Sequence, residues 1–172
     1  MGATHYVNIL YDNDMLKIKL ITVGTIKEPY LKAGIQEFEK RLERFVQLTT
    51  IEIPESISKQ DHSDSVIKAL EIDAKLIKQA IPSQSYVIAL DIQGKTFKSQ
   101  ELAKQIDSIQ QKNSHIVFII GGSNGLDDSI RNLAKEMWSF SPLTFPHQLF
   151  RLIFLEQIYR SMTILKGHPY HK

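Results

Sequence analysis

The fold class follows from the stretch His115-Ile-Val-Phe-Ile-Ile-Gly-Gly-Ser-Asn-Gly125 of this 172-residue chain. Its residues 116–120 are five consecutive apolar residues, which is typical of a strand covered on both faces of a parallel sheet. Two glycines follow at once, and glycine permits positive φ and lets backbone approach a ligand closely. Ligands of open α/β sheets bind beyond the carboxyl ends of the strands. The stretch therefore predicts a buried strand and a candidate binding turn, although a plain tight turn would also need these glycines.

Working outward, apolar patterns of strand and helix type alternate along the chain. The predicted strands are 17–23, 48–53, 86–90, 116–120 and 138–140; the predicted helices run from Pro29 to about Phe45, over 66–77, from an N-cap at Ser99 through 109, from a cap at 127–129 to Met137, and over 147–165. Gly94 is expected to turn the chain after the third strand. This alternation predicts one α/β domain over 15–172, with a mainly parallel sheet and helices on both faces. Residues 1–14 lack the pattern and are expected to be an extension outside the fold.

Composition excludes several classes of protein. Apolar residues make up 42% of the chain and charged residues 23%, which is ordinary for a globular domain. The absence of cysteine excludes disulfides, thiolate metal sites and cysteine nucleophiles. No apolar run approaches the roughly 18 residues that span a bilayer, and no secretory leader is recognisable. We therefore expect a cytoplasmic protein without membrane contact. The net charge is only +2, and from His147 onward four Lys and Arg residues face a single acidic residue, so the excess of positive charge is concentrated at the C-terminus.

Two further segments leave predicted strands near the glycine turn. The loop 141–146 holds two prolines together with Leu143 and Phe145, so it is stiff and apolar. Such a loop suits the binding of a purine by backbone hydrogen bonds and side-chain packing, but it also suits a connection packed on the core. The glycine spacing matches neither a dinucleotide fingerprint nor a Walker A motif. An adenosine-containing ligand stays open, whereas a phosphate cradle or a hydride-transfer cofactor is disfavoured.

The C-terminal part of the chain contains a helix and a short tail. The helix 147–165 is apolar almost all round, which predicts that a second subunit covers part of it. Within it, Glu156 and Arg160 are spaced for an i,i+4 salt bridge. The tail after Gly167 offers a stacking aromatic, histidines and a cation, although a frayed end is the ordinary alternative. His5, His62 and His115 have no partners at ligand spacing, so no metal site is predicted.

Six motifs together resemble a known family. They are Ile21-Thr-Val-Gly24 with Lys27, Leu90-Asp-Ile-Gln-Gly-Lys95, Ile119-Ile-Gly-Gly-Ser-Asn-Gly-Leu126, Leu143-Thr-Phe-Pro-His-Gln148, Glu156-Gln-Ile-Tyr-Arg160 and His168-Pro-Tyr-His171. Over 15–172 the chain resembles the SPOUT-class bacterial methyltransferases, type H, that modify N3 of a pseudouridine in large-subunit ribosomal RNA. The resemblance implies a C-terminal trefoil knot, an exception to the rule against knots, and a homodimer. It also implies that S-adenosylmethionine is bound by Leu90, Gly121, Phe140, Ser141, Pro142, Leu143, Thr144 and Phe145.

The implied reaction needs a positioned nucleophile and an acceptor for the proton that this nucleophile loses. The methyl of S-adenosylmethionine is electrophilic, so no metal is required, whereas the imide N3 must lose a proton. His147, Arg151, Tyr170 and His171 are the catalytic candidates, and the base stays open among them and solvent. A side chain at Gly121 is expected to enter the adenosine space.

The small net charge favours an assembled ribosome over bare RNA as the substrate. Two alternatives are a non-catalytic RNA-binding module, which leaves the glycine turn unused, and a nucleotide-cofactor oxidoreductase, which the glycine spacing disfavours.

Overall fold

The computed structural model describes residues 15–56 and 63–170, and in them five parallel strands form one sheet in the order β2-β1-β4-β3-β5. The elements are β1 Leu16–Val23, α1 Pro29–Leu42, β2 Val46–Ile53, α2 Ser63–Ala80, β3 Tyr86–Thr96, α3 Ser99–Gln110, β4 His115–Ile120, α4 Asp128–Leu133, β5 Glu136–Ser139 and α5 His147–Leu165. The predicted α/β class with a parallel sheet is confirmed. The extension predicted at 1–14 lies outside the described residues.

Two apolar layers cover the two faces of the sheet. On one face, α1, α3 and α5 pack over side chains that include Phe118, Trp138 and Phe154, all fully buried. On the other face, α2 and α4 contribute Ile77 and Ile130 to a second buried cluster. Strand β4 pairs with both β1 and β3, so residues 116–120 are buried as the sequence predicts. Helices on both faces are thus confirmed.

Helix α5 lies between α1 and α3, and this accounts for part of its apolar perimeter within a single chain. Its buried side includes Phe154, Leu155 and Ile158. Leu152 contacts α1, where its Cδ2 lies 3.0 Å from the place a Cβ would take on Gly34. No residue of α5 is fully exposed, and its outward apolar side chains are half-buried. The apolar surface of α5 is therefore weaker support for a second subunit than the sequence alone suggested.

The predicted end of α4 at Met137 is wrong. The helix ends at Leu133, and Ala134 takes an extended backbone with ψ 140°. The N–H of Lys135 then donates to the carbonyl of Val87 at 2.8 Å, which starts the pairing of β5 with β3. Pairing with the free edge of β3 is therefore favoured over continuation of helix α4. A smaller difference occurs at α3, where Lys98 rather than Ser99 is the N-cap because its N–H donates to the Glu101 carboxylate.

Gly94 does not turn the chain as predicted. Strand β3 continues to Thr96, with a register shift between Leu90 and Lys95 in its pairing with β5. A Cβ on Gly94 would lie 2.5 Å from the carbonyl carbon of Trp138. Glycine is therefore needed because the backbone of β5 passes close by, a reason that local sequence does not reveal.

Candidate functional site

A cavity of about 740 Å³ opens beyond the carboxyl ends of β3, β4 and β5. Of the residues that the sequence singles out for binding, the cavity is lined by Leu90, Gly121, Phe140, Ser141, Leu143, Thr144 and Phe145, whereas Pro142 is not among its lining residues. The volume lies in the usual range of small-molecule sites, about 300–1,000 Å³. Three segments separated by up to 50 residues of sequence thus meet at one place, and their role as ligand contacts stays a prediction.

The glycine turn after β4 is closed on itself. The N–H of Gly125 donates to the carbonyl of Gly122 at 3.1 Å, and Gly125 alone in this turn has positive φ, 81°. A Cβ on Gly121 would lie 2.4 Å from the carbonyl oxygen of Gly125. Gly121 is therefore required by the opposite arm of the turn, not by positive φ. A side chain there would meet the turn's own backbone, which corrects the expectation that it would enter ligand space.

The loop after β5 shows features of both alternatives that the sequence left open, a connection packed on the core and a wall of a binding site. Phe140 packs into the core against Phe150, with ring centroids 5.6 Å apart. Farther along, Leu143 is 69% exposed and lines the cavity. The hydroxyl of Ser141 accepts the N–H of Leu143 at 2.9 Å, which ties the loop to itself. One end of the loop is thus a core-packed connection, and the middle offers an apolar wall to a ligand.

A partly buried carboxylate that the sequence analysis missed bonds a residue of the cavity lining. Glu136 accepts hydrogen bonds from the hydroxyl of Tyr86, the amide of Gln105 and, at 2.7 Å, the indole N–H of Trp138. Trp138 lines the cavity. Burial and the bond to Glu136 raise the pKa of Tyr86 to about 12. The available signal was a glutamate two residues before a tryptophan in a strand, a spacing that places both side chains on one face.

Asp91, next to Leu90, forms a second anchor at the cavity wall. Its carboxylate accepts the N–H of Gln93 at 2.9 Å and the Nε of Arg131 at 2.8 Å. Arg131 also pairs with Asp128 at 2.8 Å and lines the cavity. Burial alone would raise the pKa of Asp91, but the bonds from Gln93 and Arg131 hold it below its usual value.

His147, the first residue of α5, lines the cavity and lies beside an unexpected acid. Its Nε2 is 3.0 Å, and the Glu55 Oε2 is 3.7 Å, from the place a Cβ would take on Gly24. Glu55 also accepts the N–H and the hydroxyl of Ser123, each at 2.5 Å. Burial acts to raise the pKa of Glu55, yet the Ser123 bonds and the charges of His147 and Lys27 lower it. Glu55 lies in a polar segment after β2, and the sequence there gives no indication of these contacts.

The remaining catalytic candidates lie apart from the cavity. The side chain of Arg151 is buried and forms ion pairs with Glu52 and, at 4.0 Å, with Glu39, so it faces β2 and α1. Its Nε has no hydrogen-bond partner among the residues that the structure describes. Arg151 is not among the cavity's lining residues. It is therefore positioned by carboxylates, one helical turn beyond His147.

The described part of the tail folds back on the other end of α5. The hydroxyl of Tyr170 donates to Glu156 at 3.1 Å, and its ring lies 4.9 Å from that of Tyr159. Burial and the bond to Glu156 raise the pKa of Tyr170. The predicted salt bridge of Glu156 with Arg160 is confirmed at 2.5 Å. His171 lies outside the described residues.

Neither a metal cluster nor a membrane helix is found in the part of the chain that the structure describes. Across 15–56 and 63–170, no three histidine, aspartate or glutamate side chains are grouped as metal ligands. None of the helices in these ranges is long and apolar enough to cross a bilayer.

Comparison with known proteins matches nearly the whole chain. The family model described as "Predicted SPOUT methyltransferase" matches residues 16–171. The chain is 44% identical over 158 residues to the "Ribosomal RNA large subunit methyltransferase H" of Legionella pneumophila (strain Paris), covering 92% of this chain and 100% of that protein. It is 47% identical over 159 residues to the protein of the same name from Streptococcus pneumoniae (strain CGSP14), covering 91% and 100%.

Solved structures show the same fold at low identity. A "probable methylase family protein" from Haemophilus influenzae Rd KW20 has a TM-score of 0.55 at 11% identity, covering 90% of this chain and 70% of that one. A "Probable Methyltransferase" from Bordetella pertussis Tohama I has a TM-score of 0.56 at 10% identity, covering 87% and 96%. At such identities the likeness concerns the fold alone.

Proposed function

The chain belongs to the SPOUT methyltransferase family, and we propose that it transfers a methyl group from S-adenosylmethionine to N3 of a pseudouridine in large-subunit ribosomal RNA. The observation that carries this proposal is that Leu90, Gly121 and the loop residues Phe140, Ser141, Leu143, Thr144 and Phe145 line one and the same cavity. These are the segments to which the resemblance assigns the methyl donor. The family also implies a trefoil knot in the C-terminal part of the single domain 15–172.

The residues around the cavity fit an adenosine-containing donor. Phe145 stacks on Phe150 with an interplanar angle of 12°, and Leu90 and Leu143 add apolar surface on which a purine can pack. The glycine turn adds backbone without side chains to block a ligand. The volume, about 740 Å³, accommodates a ligand of nucleoside size together with its amino-acid arm.

The donor, when bound, supplies an electrophilic methyl on a sulfonium, and the protein must align the acceptor nitrogen with it. His147 lines the cavity as the first residue of α5. The positive end of the helix dipole is at this terminus, and it favours an anion such as the deprotonated imide. We propose that His147 takes the imide proton or stabilises the anion.

His147 is the strongest candidate for handling the proton. The raised pKa of Tyr170 means that its hydroxyl keeps its proton near neutral pH, so it serves as a donor rather than as a base. The guanidinium of Arg151 is held by Glu52 and Glu39 and suits a structural or anion-stabilising part. Tyr170 and His171 are proposed to act on the target base through stacking and hydrogen bonding.

The tail of one chain is held away from its own cavity. Tyr170 donates to Glu156, which lies nine residues along α5 from His147 and so about 14 Å from it. We therefore propose a homodimer in which the tail of one protomer serves the cavity of its partner.

We propose the assembled ribosome, in the cytoplasm, as the setting of the reaction. The net charge of +2 provides little of the electrostatic binding on which bare-RNA recognition depends. A composite surface of RNA and ribosomal protein would compensate for that weakness.

Methyl transfer from labelled S-adenosylmethionine to ribosomes, isolated subunits and naked RNA, compared side by side, tests this proposal. We expect label in large-subunit RNA, most efficiently from intact ribosomes. Thermal unfolding with S-adenosylhomocysteine, NAD or FMN checks the donor class, and only the first should raise the melting temperature. Stabilisation by NAD or FMN, or no label in any RNA, would overturn it in favour of an oxidoreductase or a binding module.

A further inference from the structure

We propose that Glu55 is a positioning residue for the donor cavity, acting through Ser123 of the glycine turn. This inference rests on the proposed function and concerns a residue that does not itself line the cavity. Its Oε1 accepts both the N–H and the hydroxyl of Ser123. We call this pair of hydrogen bonds the Glu55–Ser123 contact.

The contact joins two loops that are distant in the sheet. Glu55 follows β2, Ser123 follows β4, and β1 lies between these strands. The carboxylate therefore reaches across the end of β1, where its Oε2 lies 3.7 Å from the place of a Gly24 Cβ, an ordinary contact distance. Two loops 68 residues apart in sequence are held together by one side chain.

A second observation shows that the glycine turn is fitted to this carboxylate. A Cβ on Gly122 would lie 2.5 Å from the Glu55 Oε1 and 3.0 Å from Val23. Any other residue at 122 would thus displace the carboxylate. Because φ at Gly122 is not positive, backbone conformation does not by itself require glycine there. Room for Glu55 is the requirement that the structure shows.

The glycine turn needs a stabilising contact from outside it, such as the Glu55–Ser123 contact. Gly121, Gly122 and Gly125 have no side chains to pack, and glycine has the greatest backbone freedom to lose on ordering. Within the turn, one backbone hydrogen bond joins Gly125 to Gly122. Hydrogen bonds to an ionised carboxylate are stronger than those between neutral groups. The contact therefore fixes Gly122 and Ser123, both of which line the cavity, in the shape that the donor meets.

The charge of Glu55 is maintained by its surroundings. Lys27 and His147 favour the ionised carboxylate. The loop of Lys27 is itself tied to α5, because the Lys27 N–H donates to Gln148 at 2.8 Å. The loops after β1, β2 and β4 are thus linked to each other or to the start of α5, and the Glu55–Ser123 contact reaches the cavity wall.

The test compares donor binding in two variants and a matched control. Calorimetry with S-adenosylhomocysteine should show about tenfold weaker binding for Glu55→Ala, the loss expected for a charge-assisted hydrogen bond. Glu55→Gln keeps an acceptor oxygen without the charge and should fall between Glu55→Ala and wild type. Glu28→Ala removes an exposed glutamate of the β1–α1 loop that makes no cap bond, and it should bind like wild type. In turnover assays, KM for the donor should rise more than kcat falls.

Amide hydrogen exchange of Ser123 without ligand gives an independent measure of the contact. The N–H should exchange about tenfold faster in Glu55→Ala, with an unchanged melting temperature to show that the fold is intact. Unchanged exchange would overturn the contact. Faster exchange with unchanged donor affinity would overturn the positioning role. No S-adenosylhomocysteine binding by wild type would instead overturn the proposed function, and the exchange result would still report on the contact.

Discussion

The two ends of α5 differ in what surrounds them. At its N-terminal end, His147 lines the cavity together with the glycine turn and the loop after β5. At its C-terminal end, Tyr170 packs on Tyr159 and bonds Glu156, so side chains make the contacts. We call these the cavity end and the tail end. Residues that the sequence assigns to one reaction thus lie about 14 Å apart along α5 within one chain, and the proposed homodimer would bring the tail of one protomer to the cavity of its partner.

The largest expected effect is at the cavity end, in Gly121→Val. The branched side chain would clash with the carbonyl of Gly125, where a Cβ would already be 2.4 Å away, and force the turn open. Overpacking of this kind costs about 1–3 kcal/mol, and donor affinity should fall at least about 100-fold. Calorimetry with S-adenosylhomocysteine measures the affinity, and a melting curve measures the stability.

Asn132→Ala is the control for that variant, because its exposed side chain lies on the short helix α4 that follows the turn and is not among the cavity's lining residues. It should retain binding within a few-fold. If Gly121→Val bound the donor as wild type does, the cavity end would not be the donor site.

Deleting residues 168–172 tests the tail end. Donor affinity should be unchanged, since the cavity is built without the tail, whereas methyl transfer should fall about 10²-fold or more, the contribution of a positioned catalytic group. Tyr170→Phe and His171→Ala, assayed singly on ribosomes, separate the hydroxyl from the imidazole. Full activity of the truncated protein would show that the tail end has no part in the reaction.

Mixed dimers decide whether the two ends meet across protomers. Neither the truncated chain nor Gly121→Val should be active alone. When the two are co-expressed, a mixed dimer has one intact cavity served by one intact tail, and activity should reappear. Continued inactivity in a proven mixed dimer would mean that each tail serves the cavity of its own chain.

Local patterns in the sequence were enough to predict β4 and α5. The apolar run 116–120 and the apolar helix 147–165 determine their own structure, and both were confirmed. Gly94 and the end of α4 were interpreted wrongly because their causes are backbone contacts with β5 and β3. The cavity segments were found through their positions after strands, whereas Glu55 was missed because its partner is 68 residues away.

A smaller effect at the cavity end is expected from Glu136→Ala. The change leaves the partly buried hydroxyl of Tyr86 and the indole N–H of the buried Trp138 without their acceptor, at a cost of about 1–3 kcal/mol in the free energy of unfolding. Tyr86→Phe removes a single donor and should cost about 1 kcal/mol. Urea unfolding measures both. Equal stability of Glu136→Ala and wild type would mean that the network does not hold β5.

The two ends should also respond to opposite extremes of pH. The pKa of Asp91 at the cavity end is lowered, so its stabilisation is present above the unfolded value and is lost as pH falls through the folded pKa. The pKa of Tyr170 at the tail end is raised, so its stabilisation is present below the unfolded value and is lost as pH rises through the folded pKa. Acid should therefore loosen the cavity end and alkali the tail end.

Asp91→Asn isolates the acid side of this difference and is the smallest effect that we predict. The variant should be less stable than wild type by about 1 kcal/mol at neutral pH, and the gap should close as pH falls below about 4, because the wild-type carboxylate then gains a proton. Asp128→Asn is the matched control: both carboxylates pair with Arg131 at 2.8 Å, but the side chain of Asp128 is 88% exposed and that of Asp91 only 8%. An ion pair so exposed contributes little, so this variant should match wild type throughout. Urea unfolding between pH 3 and 7 measures both differences, and a gap for Asp91→Asn that was as large at pH 3 as at pH 7 would show that its cause is not the charge.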